Sequence, residues 1–278
     1  MQSPDTLKTA HDFEHAPTPH FLATFTNAGH ARLAANLIAS TVRAGIDDLL
    51  TVYVCDSWAS DALSKYVRVA DSAAVLIESS AEQVWRDDPE SSGPKDWGTA
   101  EFGQVAEQKL RLLLSLSLEP NWHPFVFCDA DTAIVNDPFE ALRKCAEPLA
   151  MQNDNEHGHA PRNERFEFGT GVIVFNQPEV ALMQCALSWL INRLGVATGI
   201  DGSLYVDDQR AVSAALEYLC RKPGVLDAKL FPNGALPWTR EACIVHANWV
   251  RGRSAKEARL RAADCWFVRE DHLRECGL

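Results

Sequence analysis

The chain has 278 residues, of which 46% are hydrophobic and 23% are charged, an ordinary balance for a globular protein. Lys and Arg number 26 against 38 Asp and Glu, and the resulting formal net charge of −12 argues against general nucleic-acid binding. The eight Cys form no C-x-x-C pair, which excludes zinc-ribbon and thioredoxin-type sites and indicates free thiols.

The sequence does not predict a membrane span or a secretion signal. No uncharged apolar run approaches about 20 residues, and residues 1–19 are polar, without the apolar core of a signal peptide. We therefore expect a cytoplasmic protein with a flexible N-terminal tail over residues 1–19, followed by one folded domain over residues 20–278.

The first half of the sequence alternates between strand and helix patterns. Apolar runs predict strands at 21–26, 50–54 and 74–77, and helical periodicity predicts helices at 31–44 and 101–118. Strands alternating with helices are typical of an α/β fold with a mostly parallel central sheet and helices on both faces. A stretch rich in Asp, Pro, Ser and Gly at 86–98 predicts a long loop.

A short apolar run at 125–128 leads directly into two carboxylates, Asp129 and Asp131. Residues two apart lie on one face of a strand, so we expect the two side chains to project together. Paired carboxylates suit Mg²⁺ or Mn²⁺, which proteins often hold together with substrate phosphates. The pair predicts a metal site for a phosphorylated substrate at a strand end.

The second half of the sequence is less regular. Asp137, Pro138 and Glu140 predict the capped start of a helix. The remaining elements predicted in this half are a polar loop at 153–167, a buried strand at 171–175, helices at 180–194 and 209–220, and a short strand at 243–245.

Four motifs follow one another in this order: Asp129-Ala130-Asp131, a glycine-containing turn Phe168-Gly169-Thr170-Gly171 that leads into a strand, Asp207-Asp208-Gln209, and His246-Ala247-Asn248-Trp249 with Gly252 after it. Their order resembles that of the GT-A nucleotide-diphospho-sugar transferases, and most closely the retaining family related to plant rhamnogalacturonan xylosyltransferases. The resemblance spans residues 20–256. Thr170 departs from it, because relatives often carry Asn there.

The resemblance implies a metal-dependent retaining glycosyltransferase. Such an enzyme moves a hexose or pentose from a nucleoside-diphosphate sugar, expected to be a UDP-sugar, to a hydroxyl of a glycan or glycoconjugate. It implies that Asp129, Asp131 and His246 hold Mn²⁺, or Mg²⁺ in its place. It also implies that Asp208 and Gln209 flank the donor sugar, with Asp208 binding a sugar hydroxyl or stabilising positive charge.

The resemblance also implies that the two halves of the chain bind different substrates. Residues 20–131 would bind the nucleotide, and residues 132–278 would bind the acceptor and close the site. The donor-binding residues expected on this basis are Thr24, Thr26, Asn27, Asp56, Lys109, Asp129, Ala130, Thr170, Gly171, Asn248, Gly252 and Lys256. The sequence leaves the sugar, the acceptor and the oligomeric state open.

Two other functions remain open at this point. Haloacid-dehalogenase-type phosphatases also carry Asp-x-Asp after an apolar strand, but the Thr expected two residues after the second Asp is Ala133 here. An inactive nucleotide-sugar-binding scaffold would use the same fold. Each site residue also has a structural alternative, such as a helix cap for Asp208, a buried core residue for His246 or a solvated helix position for Lys109.

Overall fold

Strands and helices alternate along the chain, as the sequence predicts. The computed structural model describes residues 21–78, 100–154, 168–194 and 206–278. The strands in these ranges are β1 (Phe21–Thr26), β2 (Leu50–Val54), β3 (Val75–Glu78), β4 (Phe125–Cys128), β5 (Thr132–Ile134), β6 (Leu149–Asn153), β7 (Phe168–Phe175), β8 (Gly224–Val225) and β9 (Ile244–His246). The helices are α1 (Ala31–Ala44), α2 (Ser57–Val69), α3 (Ala100–Ser117), α4 (Phe139–Leu142), α5 (Val180–Leu194), α6 (Asp208–Tyr218), α7 (Arg253–Ala262) and α8 (Glu270–Cys276).

Three sequence predictions fall wholly or partly outside the described residues. They are the N-terminal tail at 1–19, the long loop at 86–98, and residues 155–167 of the polar loop. In the described ranges, no helix combines the length and the apolar character needed to cross a membrane.

The main sheet has seven strands in the order β3-β2-β1-β4-β7-β6-β8. Strand β1 pairs in parallel with β2 and β4, β2 with β3, and β6 with β8, whereas β7 is antiparallel to both of its neighbours. The predicted mostly parallel α/β sheet is therefore confirmed. The carboxyl ends of β1, β2 and β4 meet at one edge, where open α/β sheets bind ligands.

Helices cover both faces of this sheet, also as predicted. Leu22 of β1 packs into a core cluster with residues of α1 and α2, and the next residue, Ala23, packs into a second cluster with residues of α3, α5 and α6. Strands buried on both faces read as continuous apolar runs. This double burial explains why β4 is apolar throughout and why β1 is apolar except for Thr24 and Thr26.

Phe125 is the centre of an aromatic stack in the second cluster. Its ring stacks on Phe21 at 5.4 Å and on Phe175 at 4.6 Å between centroids, and its side chain is fully buried. We expect Phe125→Ala to lower the free energy of unfolding by about 3–5 kcal/mol, measured by urea denaturation. The half-exposed Trp122, which meets Phe21 edge-on, provides the comparison. If Trp122→Ala lowers the free energy of unfolding as much as Phe125→Ala, Phe125 is not the centre of the stack.

Several boundaries differ from the sequence prediction. Helix α2 and strands β5 and β6 were not predicted, nor were α7 and α8. Strand β7 begins at Phe168 and not at Gly171, so the glycine-rich motif lies inside a strand and does not form a turn. Helix α4 has only four residues, although Asp137 Oδ1 does accept a hydrogen bond from Phe139 N at 2.8 Å.

A separate two-stranded sheet joins β5 to β9 in antiparallel register. Thr132, directly after the aspartate pair, lies opposite His246. The predicted strand at 243–245 is thus shifted by one residue, and His246 belongs to the strand. This pairing brings a late segment of the chain to the end of β4.

Candidate functional site

The aspartate pair lies in a tight turn between β4 and β5. Asp129 N donates to Gly171 O at 2.8 Å, and Thr132 donates to Asp129 O through its backbone N at 3.0 Å and its hydroxyl at 2.8 Å. Since β4 ends at Cys128, the prediction that Asp129 and Asp131 share one face of a strand was wrong. The turn brings the carboxylates together, and its backbone is anchored to β7.

His246 reaches both carboxylates from β9, as predicted. Its Nε2 lies 3.2 Å from Asp131 Oδ1 and 3.8 Å from Asp129 Oδ2. One ligand atom from each of these three residues lies within 4.8 Å of the others. His246 and Asp131 are buried, which distinguishes the cluster from a chance group of exposed acids.

The orientation of the His246 ring leaves Nε2 available to a cation. Gln152 Nε2 donates to the carbonyls of Phe231 and Pro232, both at 3.1 Å, so its Oε1 must face the other way. That oxygen lies 2.8 Å from His246 Nδ1, which therefore carries the proton. His246 Nε2 then faces the two carboxylates, where it can serve as the third ligand of a cation.

Gly171 makes room for this ring. A Cβ added to Gly171 would overlap with the His246 imidazole. The glycine at this position of β7 is thus explained by the close approach of His246.

Lys109 of α3 lies between the turn that carries Asp129 and the start of α6. Its ammonium lies 2.7 Å from Asp129 Oδ1, 2.7 Å from Asp208 Oδ2 and 3.0 Å from Thr170 O. Three acceptors therefore surround its three N–H donors, and the side chain is buried. Burial disfavours the charge, but the two carboxylates outweigh it and raise the pKa of Lys109 above its ordinary value. Lys109 is not a solvated helix residue.

The two aspartates that share Lys109 have opposite shifts. Burial would raise the pKa of Asp208, but Lys109 and the Thr170 hydroxyl, which donates to Asp208 Oδ2 at 2.5 Å, lower it below its ordinary value. For Asp129, burial together with the charges of Asp131 and Asp208 exceeds the effect of Lys109, and its pKa is raised. The cost of burying the Asp129 carboxylate is thus not fully offset by Lys109.

Lys256 of α7 neutralises the other carboxylate. Its Nζ lies 2.6 Å from Asp131 Oδ2, and with His246 it outweighs burial and holds the pKa of Asp131 well below its ordinary value. This contact is an ion pair at hydrogen-bonding distance. Two carboxylates and an imidazole whose ligand atoms lie within reach of one another fit a divalent cation.

Two cavities meet at this cluster. The larger has a volume of about 610 Å³ and the smaller about 120 Å³. The residues that line both are His30, Phe102, Asp129, Asp131, Asp208 and Lys256. Because these residues line both cavities, a single extended ligand can place one end in each cavity and pass the three acidic groups between them.

The predicted donor-binding residues divide between these cavities. Thr26, Asn27, Lys109 and Ala130 line the smaller one, at the end of β1. The larger one is lined by Thr170, Gly171, Gln209, His246, Asn248 and Gly252. Residues predicted from four separate motifs are therefore brought to one place.

Thr24 and Asp56 are the two predicted residues that line neither cavity. Thr24 is fully buried within β1, two residues before the strand end. Asp56 caps α2 by accepting from Ala59 N at 2.7 Å, and its other oxygen accepts from Ala28 N at 2.6 Å. Both oxygens of Asp56 thus have backbone partners, which gives it a structural role.

Asp154 was not predicted, although it connects several predicted residues. Its Oδ2 accepts from Gln209 Nε2 at 2.9 Å, and its Oδ1 accepts from Asn248 Nδ2 at 2.8 Å and from Trp249 Nε1 at 3.0 Å. It links α6 to the loop after β9 across the larger cavity. Its position directly after a strand, like that of Asp129, is the signal that would have identified it.

His30 was also missed. It lies beside Asn27, whose Oδ1 is 3.3 Å from His30 Nδ1, and it lines both cavities. Burial lowers the pKa of His30 to about 4, and the charge of Lys256 contributes. The ring is therefore neutral at physiological pH and offers the site a polar group without adding charge.

The sequence model of one protein family, described as nucleotide-diphospho-sugar transferase, matches residues 63–260, which is more than half of the chain. The chain belongs to this family. The match confirms the broader resemblance inferred from the motifs. The closer relation to plant rhamnogalacturonan xylosyltransferases stays a prediction. No curated protein matches the sequence significantly.

Solved structures agree with the fold of this family. The glycosyltransferase GlyE of Streptococcus pneumoniae TIGR4 is similar with a TM-score of 0.51 and 11% identity over 93% of this chain, which spans 63% of the GlyE chain. The galactosyltransferase LgtC, in complex with donor and acceptor sugar analogues, has a TM-score of 0.51 and 13% identity over 92% of this chain and 99% of its own. At these identities the likeness shows a GT-A glycosyltransferase fold.

Proposed function

We propose that this family member is a metal-dependent retaining glycosyltransferase. It transfers a sugar from a nucleoside-diphosphate sugar, expected to be a UDP-sugar, to a hydroxyl of a glycan or glycoconjugate. The observation that carries the proposal is the buried cluster of Asp129, Asp131 and His246 at the junction of two cavities. A diphosphate at this junction would leave its nucleoside in the smaller cavity and its sugar in the larger one.

The charges at the junction support a bound cation. Asp129, Asp131 and Asp208 carry three carboxylates against the two ammonium groups of Lys109 and Lys256. A diphosphate would add negative charge to a site that is already acidic. A bound Mn²⁺ or Mg²⁺ supplies the opposite charge and stabilises the leaving nucleoside diphosphate. The imidazole ligand favours Mn²⁺.

Asp208 and Gln209 are the proposed catalytic residues. The lowered pKa of Asp208 keeps its carboxylate ionised, so it can accept a hydroxyl of the donor sugar or stabilise positive charge that develops on the sugar ring. Gln209 is held toward the larger cavity by Asp154. The positions of Asp208 and Gln209 support binding on two sides of the donor sugar. Retention would need such binding whether it proceeds by same-face attack or through a covalent intermediate.

The alternatives are less well supported. The family match disfavours a haloacid-dehalogenase-type phosphatase. The complete set of three proposed metal ligands disfavours an inactive nucleotide-sugar-binding scaffold, and release of nucleoside diphosphate separates the two functions.

We also propose that residues 20–131 bind the nucleotide and 132–278 the acceptor. The cytoplasm is the proposed compartment, supported by eight cysteines that form no disulfide.

The test is release of nucleoside diphosphate from a panel of UDP-, GDP- and other nucleotide-activated sugars. We expect hydrolysis of one donor with Mn²⁺, falling to background when EDTA removes the metal. The same donor should raise the melting temperature only when Mn²⁺ is present. Release that persists in EDTA would contradict the metal site, and metal-dependent binding without any release would identify a scaffold.

A further inference from the structure

The rim of the larger cavity carries an exposed tryptophan that the donor chemistry does not use. Trp249 lines this cavity and is 52% exposed, whereas His246 at the inner end is only 4% exposed. Two other tryptophans, Trp122 and Trp238, do not line it. Trp97 lies outside the described residues.

The backbone of Trp249 is strained. Its φ of 62° lies in the left-handed region, which a bulky side chain rarely adopts. Among the described residues other than glycine, Asp71, Cys220 and Asp264 also have positive φ, but they do not line the cavity. Glycine would take this conformation without strain. A large side chain at a strained position on a cavity rim indicates that the indole itself has a use.

The indole is held by its polar edge. Trp249 Nε1 donates to Asp154 Oδ1 at 3.0 Å, and Asn248 Nδ2 donates to the same oxygen at 2.8 Å. The other oxygen of Asp154 accepts from Gln209, the proposed catalytic amide. Because the N–H is engaged, the surface that the ring offers to a ligand is apolar and aromatic.

The location of Trp249 indicates which part of a substrate it meets. It does not line the smaller cavity, where the nucleoside is proposed to bind, and it lies outside the buried cluster that would hold the diphosphate. The donor would therefore occupy the inner end, and the rim would remain for the acceptor. An aromatic surface matches the face of a pyranose ring that carries only C–H groups.

We propose that Trp249 is a stacking platform for a pyranose ring of the acceptor, held in place by Asp154. The inference rests on the proposed transferase function and adds the class of acceptor, a glycan that presents a neutral pyranose. It makes Trp249 a residue that determines acceptor specificity, and Asp154 the positioning residue that connects it to Gln209.

The first test is binding of two probes, methyl β-D-glucopyranoside and methyl β-D-galactopyranoside, in the presence of UDP and Mg²⁺. Saturation-transfer NMR should show contact at the ring C–H protons of at least one probe with the wild-type protein. Trp249→Phe should keep the signal, and Trp249→Ala should lose it. Unchanged signals in Trp249→Ala, or no signal from either probe with the wild type, would overturn the proposal.

Transfer to the same probes gives a second readout. We expect Trp249→Ala to lower kcat/KM for the glycoside by about tenfold, mainly through KM, and to reduce transfer relative to donor hydrolysis. Glucitol, which has hydroxyls but no ring, should show no such dependence. The matched control is Trp58→Ala, which removes a tryptophan of similar exposure on α2. Equal effects of Trp249→Ala on glycoside and glucitol would argue against stacking.

Trp249→Gly separates a functional role from a structural one. It removes the indole and also relieves the backbone strain, so we expect an unchanged or higher melting temperature together with lost glycoside binding. A lower melting temperature with glycoside binding retained would assign Trp249 to structure alone. Absence of donor hydrolysis by the wild-type protein would contradict the transferase, whereas the NMR experiment would still decide the role of Trp249.

Discussion

Replacing Asp131 with alanine is expected to reduce metal-dependent release of nucleoside diphosphate by about 10³-fold. One oxygen of Asp131 lies 3.2 Å from the Nε2 of His246, and the other lies 2.6 Å from Lys256 Nζ. The substitution removes that oxygen and leaves Lys256 without its carboxylate partner. Initial rates with saturating donor and Mn²⁺ measure the loss, and electron paramagnetic resonance of Mn²⁺ measures the accompanying loss of metal affinity.

The matched control is Asp61→Ala, which deletes an exposed carboxylate on α2. This variant should keep the wild-type rate and the wild-type stabilisation by Mn²⁺. Stabilisation of the folded protein by a metal in large excess over its dissociation constant is measurable as a shift in melting temperature. Wild-type turnover by Asp131→Ala, with the protein folded, would rule out the metal site.

Gly171→Ala is expected to damage the site through one added methyl group. The new Cβ would overlap with the His246 imidazole, so the ring must turn away from Gln152 and from the two aspartates. We expect metal affinity to fall by about 10- to 100-fold, as when a residue that orients a ligand is lost. The free energy of unfolding should fall by about 1–3 kcal/mol from overpacking.

Gly169→Ala provides the graded comparison on the same strand. Its Cβ would lie 3.3 Å from Asp154 Cβ, a tight contact that a small shift can relieve. We expect a much smaller loss of metal affinity, measured by the same Mn²⁺ titration. If the two variants lose equal affinity, the effect belongs to β7 as a whole and not to the packing of His246.

Strands of the first half were predictable because burial on both faces leaves a simple pattern. Strands β1, β2 and β4 consist mostly of buried apolar residues, and Gly45 ends α1 in the left-handed conformation. Helix α2 was missed because Asp56 was assigned to the nucleoside, whereas it is the cap of that helix. A capping carboxylate and a binding carboxylate look alike in a sequence.

Strand β6 was missed for a different reason. Its last residues, Gln152 and Asn153, are polar but buried, and their partners are distant in sequence. Gln152 donates to carbonyls at positions 231 and 232, and Asn153 O accepts from Asn233. The sequence predicted a loop from Asn153 onward, because no local pattern shows that a distant segment of the chain will satisfy these groups.

The site was predicted where motifs carry it and missed where tertiary contacts create it. The motifs indicated both aspartates of the pair and His246, although the pair meets through a turn and not a strand face. Asp154 has no motif of its own, since its importance comes from three donors on two distant segments.

The proposed metal ligands belong to two different sheets. The aspartate turn follows β4 of the main sheet, and His246 comes from β9, which reaches it only by pairing with β5. A chain that emerges during synthesis cannot form this cluster until β9, close to the C-terminus, has joined β5. Metal affinity therefore depends on the pairing of β9 with β5, and a fragment truncated before β9 would lack one of the three proposed metal ligands.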